Sequence, residues 1–258
     1  MSLPRSTLLD SFFYQPNRDW NICPEFLTDE IILNASKACK IVCLYVHAPS
    51  LKKSGSIFLL HGRGGNASRY SYYAKPLIKE GFDVFIVDWR GYGKSGGQPD
   101  HMNVLEDSRV ALNCFLSRSD GKQYKKIIWG LSLGGQVAIR LAREFPDRFD
   151  ALVTEGSVCS FEQAATDYYH KIFKIPIRLF GKKGYSADKD IKKIDHLPKL
   201  IIHSTEDKEI SFKNAEILFQ NAKEPKSLLR IRGNHLYGLN RQNAPSYIQA
   251  IKKISGIG

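Results

Sequence analysis

A serine, a histidine and a carboxylate that can meet in space make a nucleophile for acyl transfer, and this chain offers a well-placed candidate for each. Ser132 stands between Gly130 and Gly134 in the run GLSLGG at 130–135. The apolar stretch 126–129 predicts a short strand ahead of it, and 136–144, with Val137, Ile139 and Leu141 mixed with Ala138 and Ala142, predicts a helix behind it. A serine at the apex of so sharp a strand-to-helix turn sits in a strained backbone conformation. Its neighbours two positions away must then lack side chains that would strike the strand or the helix. Gly130 and Gly134 meet that demand. A glycine-rich turn carrying an ordinary serine has the same local spelling, so the reading depends on what accompanies it.

A nucleophilic serine needs a base, and the base needs a carboxylate that fixes its tautomer and stabilises its cation. In open α/β hydrolytic folds the chain order is serine, acid, histidine. Asp207 follows a predicted strand over 199–204 by a short loop, where the acid belongs. Glu206 is one position off, and Asp188 and Asp195 precede the strand. His235 follows Asp207 in the loop between a predicted strand over 227–231 and a predicted last helix over 244–254. The oxyanion of the tetrahedral intermediate would be met by the backbone N–H groups of Arg63 and Leu133, and one such donor is worth about 3 kcal/mol in the transition state. His61 precedes the nucleophile in the chain and reads as a structural residue that holds the Arg63 loop by hydrogen bonding.

Two other glycine loops invite different chemistry. Gly93-Lys94-Ser95 has a phosphate-loop look, but that loop needs a glycine where Asp88 stands, and the reading fails. The segment 62–67, Gly62-Arg63-Gly64-Gly65-Asn66-Ala67, follows a predicted strand and precedes a helix, with Asp88 ending the next strand. That is the layout of a dinucleotide-binding loop. It leaves Ser132, Asp207 and His235 unexplained.

The elements that must position these residues alternate along the chain. Strands are predicted at 30–33 and 40–46 around a turn at 34–37, then at 56–60, 83–87 and 151–155. Helices are predicted at 70–80, 102–116 and 213–222. Successive strand–loop–helix units imply a mostly parallel central sheet with helices on both faces, in one α/β domain spanning 1–258. Residues 1–27, with Phe12, Phe13, Tyr14 and Trp20 around Pro16, are expected to pack as an extended arm. The segment 161–193 interrupts the alternation and reads as a small helical lid over the carboxyl edge of the sheet. Its Tyr168, Tyr169 and Phe173, beside Lys171, Lys174, Arg178, Lys182 and Lys183, are candidate substrate-binding residues. Packing the lid onto the sheet would account for the same aromatics.

The formal net charge of +12 suits anionic partners, a membrane surface or an acidic headgroup among them. The basic residues are scattered, with no zinc-finger spacing, which argues against nucleic acid and for solvated surface charge. The five cysteines form neither a CxxC pair nor a metal set with neighbouring histidines. Free thiols are expected, with no metal and no cofactor, and a reducing compartment follows, cytoplasmic by default. No transmembrane-length apolar run or complete signal peptide is visible; a leader ahead of this sequence would make the protein membrane-associated or exported.

Five segments together resemble one family: LLHGRGGN at 59–66, DWRGYGKSGG at 88–97, GLSLGG at 130–135, LIIHSTEDKEI at 200–210 and RGNHLYGL at 232–239. They are similar, in order, to the α/β-hydrolase superfamily, and within it to the serine-aminopeptidase-like abhydrolases that include lysophospholipases and protein-depalmitoylating thioesterases. The resemblance implies an α/β-hydrolase fold and hydrolysis of an ester, thioester or lipid-like acyl substrate. It implies catalytic roles for Ser132, Asp207 and His235 and oxyanion roles for Arg63 and Leu133. Two positions depart from the pattern: Ser204 stands where relatives usually carry glycine, and Arg63 is bulkier than usual. The competing reading is a non-catalytic binding protein on the same fold, against which an intact triad speaks.

Overall fold

The computed structural model describes residues 8–49, 53–119, 124–169 and 184–257. Eight strands form one sheet in the order β1-β2-β4-β3-β5-β6-β7-β8. These are β1 (Thr28–Ser36), β2 (Cys39–Val46), β3 (Gly55–Leu60), β4 (Phe82–Val87), β5 (Lys125–Leu131), β6 (Ala151–Glu155), β7 (Lys199–Ser204) and β8 (Lys226–Ile231). β1 and β2 run antiparallel to their neighbours, and every pair from β4 to β8 is parallel. This is the α/β-hydrolase fold.

The central strands are apolar on both sides because both faces are covered. Phe58, Leu60, Phe85, Val87 and Ile128 point to one core. There α4 (His101–Ser119) and α5 (Gly134–Glu144) pack. Ile57, Leu59, Val84, Ile86 and Trp129 point to the other, beside α2 (Ala67–Tyr73), α3 (Lys75–Lys79) and the last helix, Ala244–Ile254.

Three expectations change. The helix expected over 70–80 is two helices that part at Ala74, because Pro76 lies in the first turn of the second, where its missing N–H costs nothing, and not inside one long helix. The first hairpin turn is tighter than 34–37: β1 continues to Ser36, bulged between Asn34 and Ser36, and pairs Ser36 with Cys39 across two residues. The N-terminal arm is not extended throughout. Leu8–Phe13 forms α1, with Asp10 in its first turn, and buries Phe13 and Tyr14 in the core. Beyond it the arm straps the loops after β3 and β4. Gln15 N–H donates to Arg63 O at 3.0 Å and Gly93 N–H donates to Asn17 O at 2.9 Å.

The DWRGYGKSGG segment is structural. Arg90 grips the fully buried Asp107 of α4 through Nε, at 3.0 Å from each carboxylate oxygen. The Ser95 hydroxyl accepts from Val42 N–H at 2.8 Å and donates to Asp88 O at 2.9 Å.

His101 opens α4 where the arm and both feet of the 161–193 segment converge. Its ring stacks on Tyr185 at 4.0 Å and meets Phe161 edge-on at 4.3 Å. Burial holds its pKa down at about 4 from the usual 6.5, against a backbone contact at Tyr185 and the Asp10 charge, which raise it. Between those two values the unfolded chain takes up a proton that the folded chain refuses. The neutral ring therefore adds stability above pH 6.5 that is lost as the pH falls toward 4. We expect the stability difference between wild type and His101→Phe to shift in favour of the variant by about 3 kcal/mol over that interval. Urea denaturation of both proteins at pH 7.5 and pH 4.5 checks this, and a pH-independent difference would count against it.

Candidate functional site

Ser132 is held at φ 52° between β5 and α5, with its side chain almost wholly buried. The two flanking glycines are required by close approach. A Cβ on Gly130 would stand 2.5 Å from Gly135 Cα and 2.7 Å from Ala138 Cβ, and one on Gly134 would stand 2.2 Å from Leu60 O. The turn is pinned by Ser132 N–H, which donates to Glu155 O at 2.8 Å, and by Gly135 N–H, which donates to Ser132 O at 3.0 Å. Among the described residues, the two non-glycine residues with positive φ are Ser132 and Leu236, at 54°, which follows His235. Strain of this kind persists only where the surroundings over-determine it, and it gathers at functional sites.

Asp207 and His235 come together from the loops after β7 and β8. His235 Nδ1 lies 2.7 Å from Asp207 Oδ2, with side-chain exposures of 9% and 1%. A carboxylate can only accept there, so Nδ1 carries the proton and Nε2 is left as the basic nitrogen. Asp207 Oδ1 accepts from the Glu209 and Ile210 N–H groups at 2.9 and 2.8 Å, and His203 Nε2 lies 3.5 Å from Oδ2. Burial by itself would raise this carboxyl. The bonds from His203 and His235, the His235 charge and the Ile210 N–H outweigh it and hold Asp207 well below the usual carboxylate range. Asp188 and Asp195 are engaged elsewhere, with Ser186 and Lys223 respectively, while Glu206 Oε2 accepts from Gly233 N–H at 2.9 Å.

The imidazole reaches the serine turn by packing on Gly156. A Cβ there would lie 2.9 Å from His235 Cε1, and Gly156 adopts φ 56°, so glycine is needed on both counts. Gly156 follows Glu155, the residue that accepts the Ser132 N–H. Among the described residues no hydrogen bond yet joins Ser132 to His235, a contact that is often loose until substrate tightens it.

The Arg63 loop closes on the same turn: a Cβ on Gly62 would stand 3.2 Å from Ser132 Cβ. His61 is fully buried, with Nδ1 2.8 Å from Gly62 O and Nε2 3.2 Å from Asp88 Oδ1. Because a trans peptide is planar, fixing Gly62 C=O fixes the direction of Arg63 N–H. The next peptide is fixed too, with Arg63 O accepting from Gln15 N–H at 3.0 Å and from the Tyr92 hydroxyl at 2.6 Å. Leu133 is the N-cap of α5, so its N–H stands at the start of the helix, where amides lack intrahelical partners. The dinucleotide layout loses its parts in this arrangement. Asp88 is fully buried and takes the Ala67 N–H at 2.6 Å, and Asn66 Oδ1 takes the Arg69 N–H, so the start of α2 is already capped from within.

Of the remaining candidates, Phe173 lies outside the described residues, as do the side chains of Tyr168 and Tyr169 at the end of α6 (Phe161–Tyr169). Sequence reasoning misses His203 behind Asp207 and the buried Glu155 behind the turn. Ser204 is more than tolerated: its hydroxyl donates to Gly233 O in the His235 loop and accepts from Glu206 N–H at 3.1 Å. The five cysteines are free thiols, four of them buried.

A mostly parallel eight-stranded sheet in this order, with a strained serine after its fifth strand, defines the α/β-hydrolase class. Residues 52–213 match the family described as Serine aminopeptidase, S33, and the chain belongs to that family of hydrolases. It is 26% identical over 243 residues to the uncharacterized protein YfhR of Escherichia coli (strain K12), covering 92% of this chain and 84% of that protein. It is 28% identical over 177 residues to Protein bem46 of Schizosaccharomyces pombe, covering 68% of this chain and 59% of that protein. An esterase of Pyrococcus furiosus superposes with a TM-score of 0.74 at 16% identity, covering 94% of this chain and 97% of that one. At that identity the likeness is one of fold.

Proposed function

We propose that this protein is a serine hydrolase that cleaves carboxylic esters or acyl thioesters through an acyl-enzyme on Ser132. The observation that carries the reading is the 2.7 Å pairing of His235 with Asp207, seated through Gly156 against the strained Ser132 turn. His235 Nε2 takes the Ser132 proton as Oγ attacks the substrate carbonyl. The Arg63 and Leu133 N–H groups receive the resulting oxyanion. The imidazolium then gives its proton to the departing alkoxide or thiolate, leaving the acyl group on Oγ. Water attacks that ester with His235 again as base, and the carboxylic acid is released. Asp207 stays ionised throughout, since its carboxyl lies well below the usual range.

A binding protein on this fold would not need the buried carboxylate and imidazole to meet beside a strained serine. The two readings part in a panel of p-nitrophenyl esters and acyl thioesters of increasing chain length, assayed below micelle formation with wild type and Ser132→Ala. We expect turnover by wild type that the variant abolishes. Absence of turnover by folded wild type across the panel would favour the binding protein, and residual turnover equal in both would remove Ser132 from the chemistry.

A further inference from the structure

Glu155 ends β6 with its whole residue only 1% exposed, a setting in which an ionisable group is costly unless it is paired. Its backbone carbonyl holds Ser132 N–H, and its carboxylate lies in a cage of donors. The Tyr73 hydroxyl is 2.7 and 2.6 Å from the two oxygens, the Tyr247 hydroxyl is 2.6 Å from Oε2, and Gly238 N–H is 2.9 Å from Oε1. Tyr73 ends α2, Tyr247 belongs to the last helix, and Gly238 lies three residues after His235. The acyl-transfer steps above do not use this carboxylate, and a purely structural strand end would be filled more cheaply by an apolar residue.

We infer that Glu155 is a positioning residue for His235: its carboxylate anchors the His235 loop through Gly238 N–H and sets a second negative charge, beside that of Asp207, within reach of the imidazole. The inference rests on the acyl-transfer reading of the site. The loop needs anchoring because Leu236, next to His235, has positive φ. At Gly233 it is tied by Ser204 and Glu206, and at Gly238 by Glu155, with His235 between the two ties.

The geometry suits an ionised acceptor. Gly238 N–H can only donate, and burial together with the Glu155 charge pushes both tyrosine hydroxyls well above their usual pKa, which keeps their protons in place. Burial is the largest influence on the Glu155 carboxyl and leaves its pKa above the ordinary value, while the bonds from Tyr247, Tyr73 and Gly238 and the His235 charge oppose that rise without cancelling it. The ionisable groups that face this pair are therefore Tyr73 from α2, Tyr247 from the last helix and Asp207, backed by His203, from the β7 side.

The test uses the full chain and a soluble p-nitrophenyl ester, with kcat, KM and the pH profile of kcat/KM measured for wild type, Ser132→Ala, Glu155→Gln and the double variant Tyr73→Phe/Tyr247→Phe. Glu155→Gln removes the charge directly. The double variant removes two donors, so the buried carboxyl takes up a proton at higher pH and the charge is lost by a second route. For Glu155→Gln we expect kcat lower by about 10- to 100-fold with KM within about 2-fold, and an acid limb displaced by at least about half a pH unit downward, because the imidazolium loses a nearby anion. The same displacement is expected in the double variant, which decides the matter if Glu155→Gln does not fold. Ser132-dependent turnover with an unmoved acid limb in the folded variants overturns the inference alone, even if they are less stable. A wild type without Ser132-dependent turnover removes the acyl-transfer reading and this inference with it.

Discussion

Ser132→Ala is expected to lower kcat toward acyl esters by at least about 10,000-fold, the scale on which loss of the nucleophile acts where serine and histidine work as a unit. The variant keeps the turn, since Ser132 is held by its backbone bonds to Glu155 O and Gly135 N–H and alanine adds no bulk. Its urea midpoint should therefore lie close to that of wild type. Ser132→Gly should be equally inactive but more stable than Ser132→Ala by roughly 1 kcal/mol, because the positive φ costs a residue with a Cβ and not glycine. Activity and denaturation measured on the same preparations check both. A variant retaining a tenth of the turnover would contradict the assignment, whatever its stability.

Asp207→Asn is expected to lower kcat by about 10,000-fold while leaving the fold in place. The asparagine oxygen can still accept the Glu209 and Ile210 N–H groups that hold Asp207 Oδ1 at 2.9 and 2.8 Å. Its amide nitrogen would then face His235 Nδ1 as a donor. The imidazole would turn its lone pair to that side and place its proton on Nε2, where the base is needed. The measurement is kcat at pH 7.5 beside a near-ultraviolet spectrum that reports the packed aromatics. A loss smaller than about 10-fold with an unchanged spectrum would show that the 2.7 Å contact is structural and not part of the chemistry.

Much of this arrangement is legible in the amino-acid order because its signals are local. β6 and β7 match the bounds expected for them, 151–155 and 199–204, since each is a short apolar run closed by polar residues. Gly130 and Gly134 report the turn, and Asp207 and His235 stand in loops that the strand and helix pattern itself defines. What is missed depends on distant contacts. Glu155 reads only as a charge at the end of an apolar strand, and its partners Tyr73, Gly238 and Tyr247 lie 82, 83 and 92 residues away. α1 is too short to be stable alone and exists through the burial of Phe13 and Tyr14. The break at Ala74 is signalled by Pro76, but apolar periodicity on both sides conceals it.

The central claim is that Ser132 is the activated nucleophile, and labelling with a fluorophosphonate tests it most directly. Folded wild-type protein is incubated with the probe, digested, and the adduct located by mass spectrometry. We expect one adduct, on the peptide containing Ser132, with labelling lost in His235→Ala even though the serine is still present. An adduct on another residue, or none in protein shown to be folded, would contradict the account.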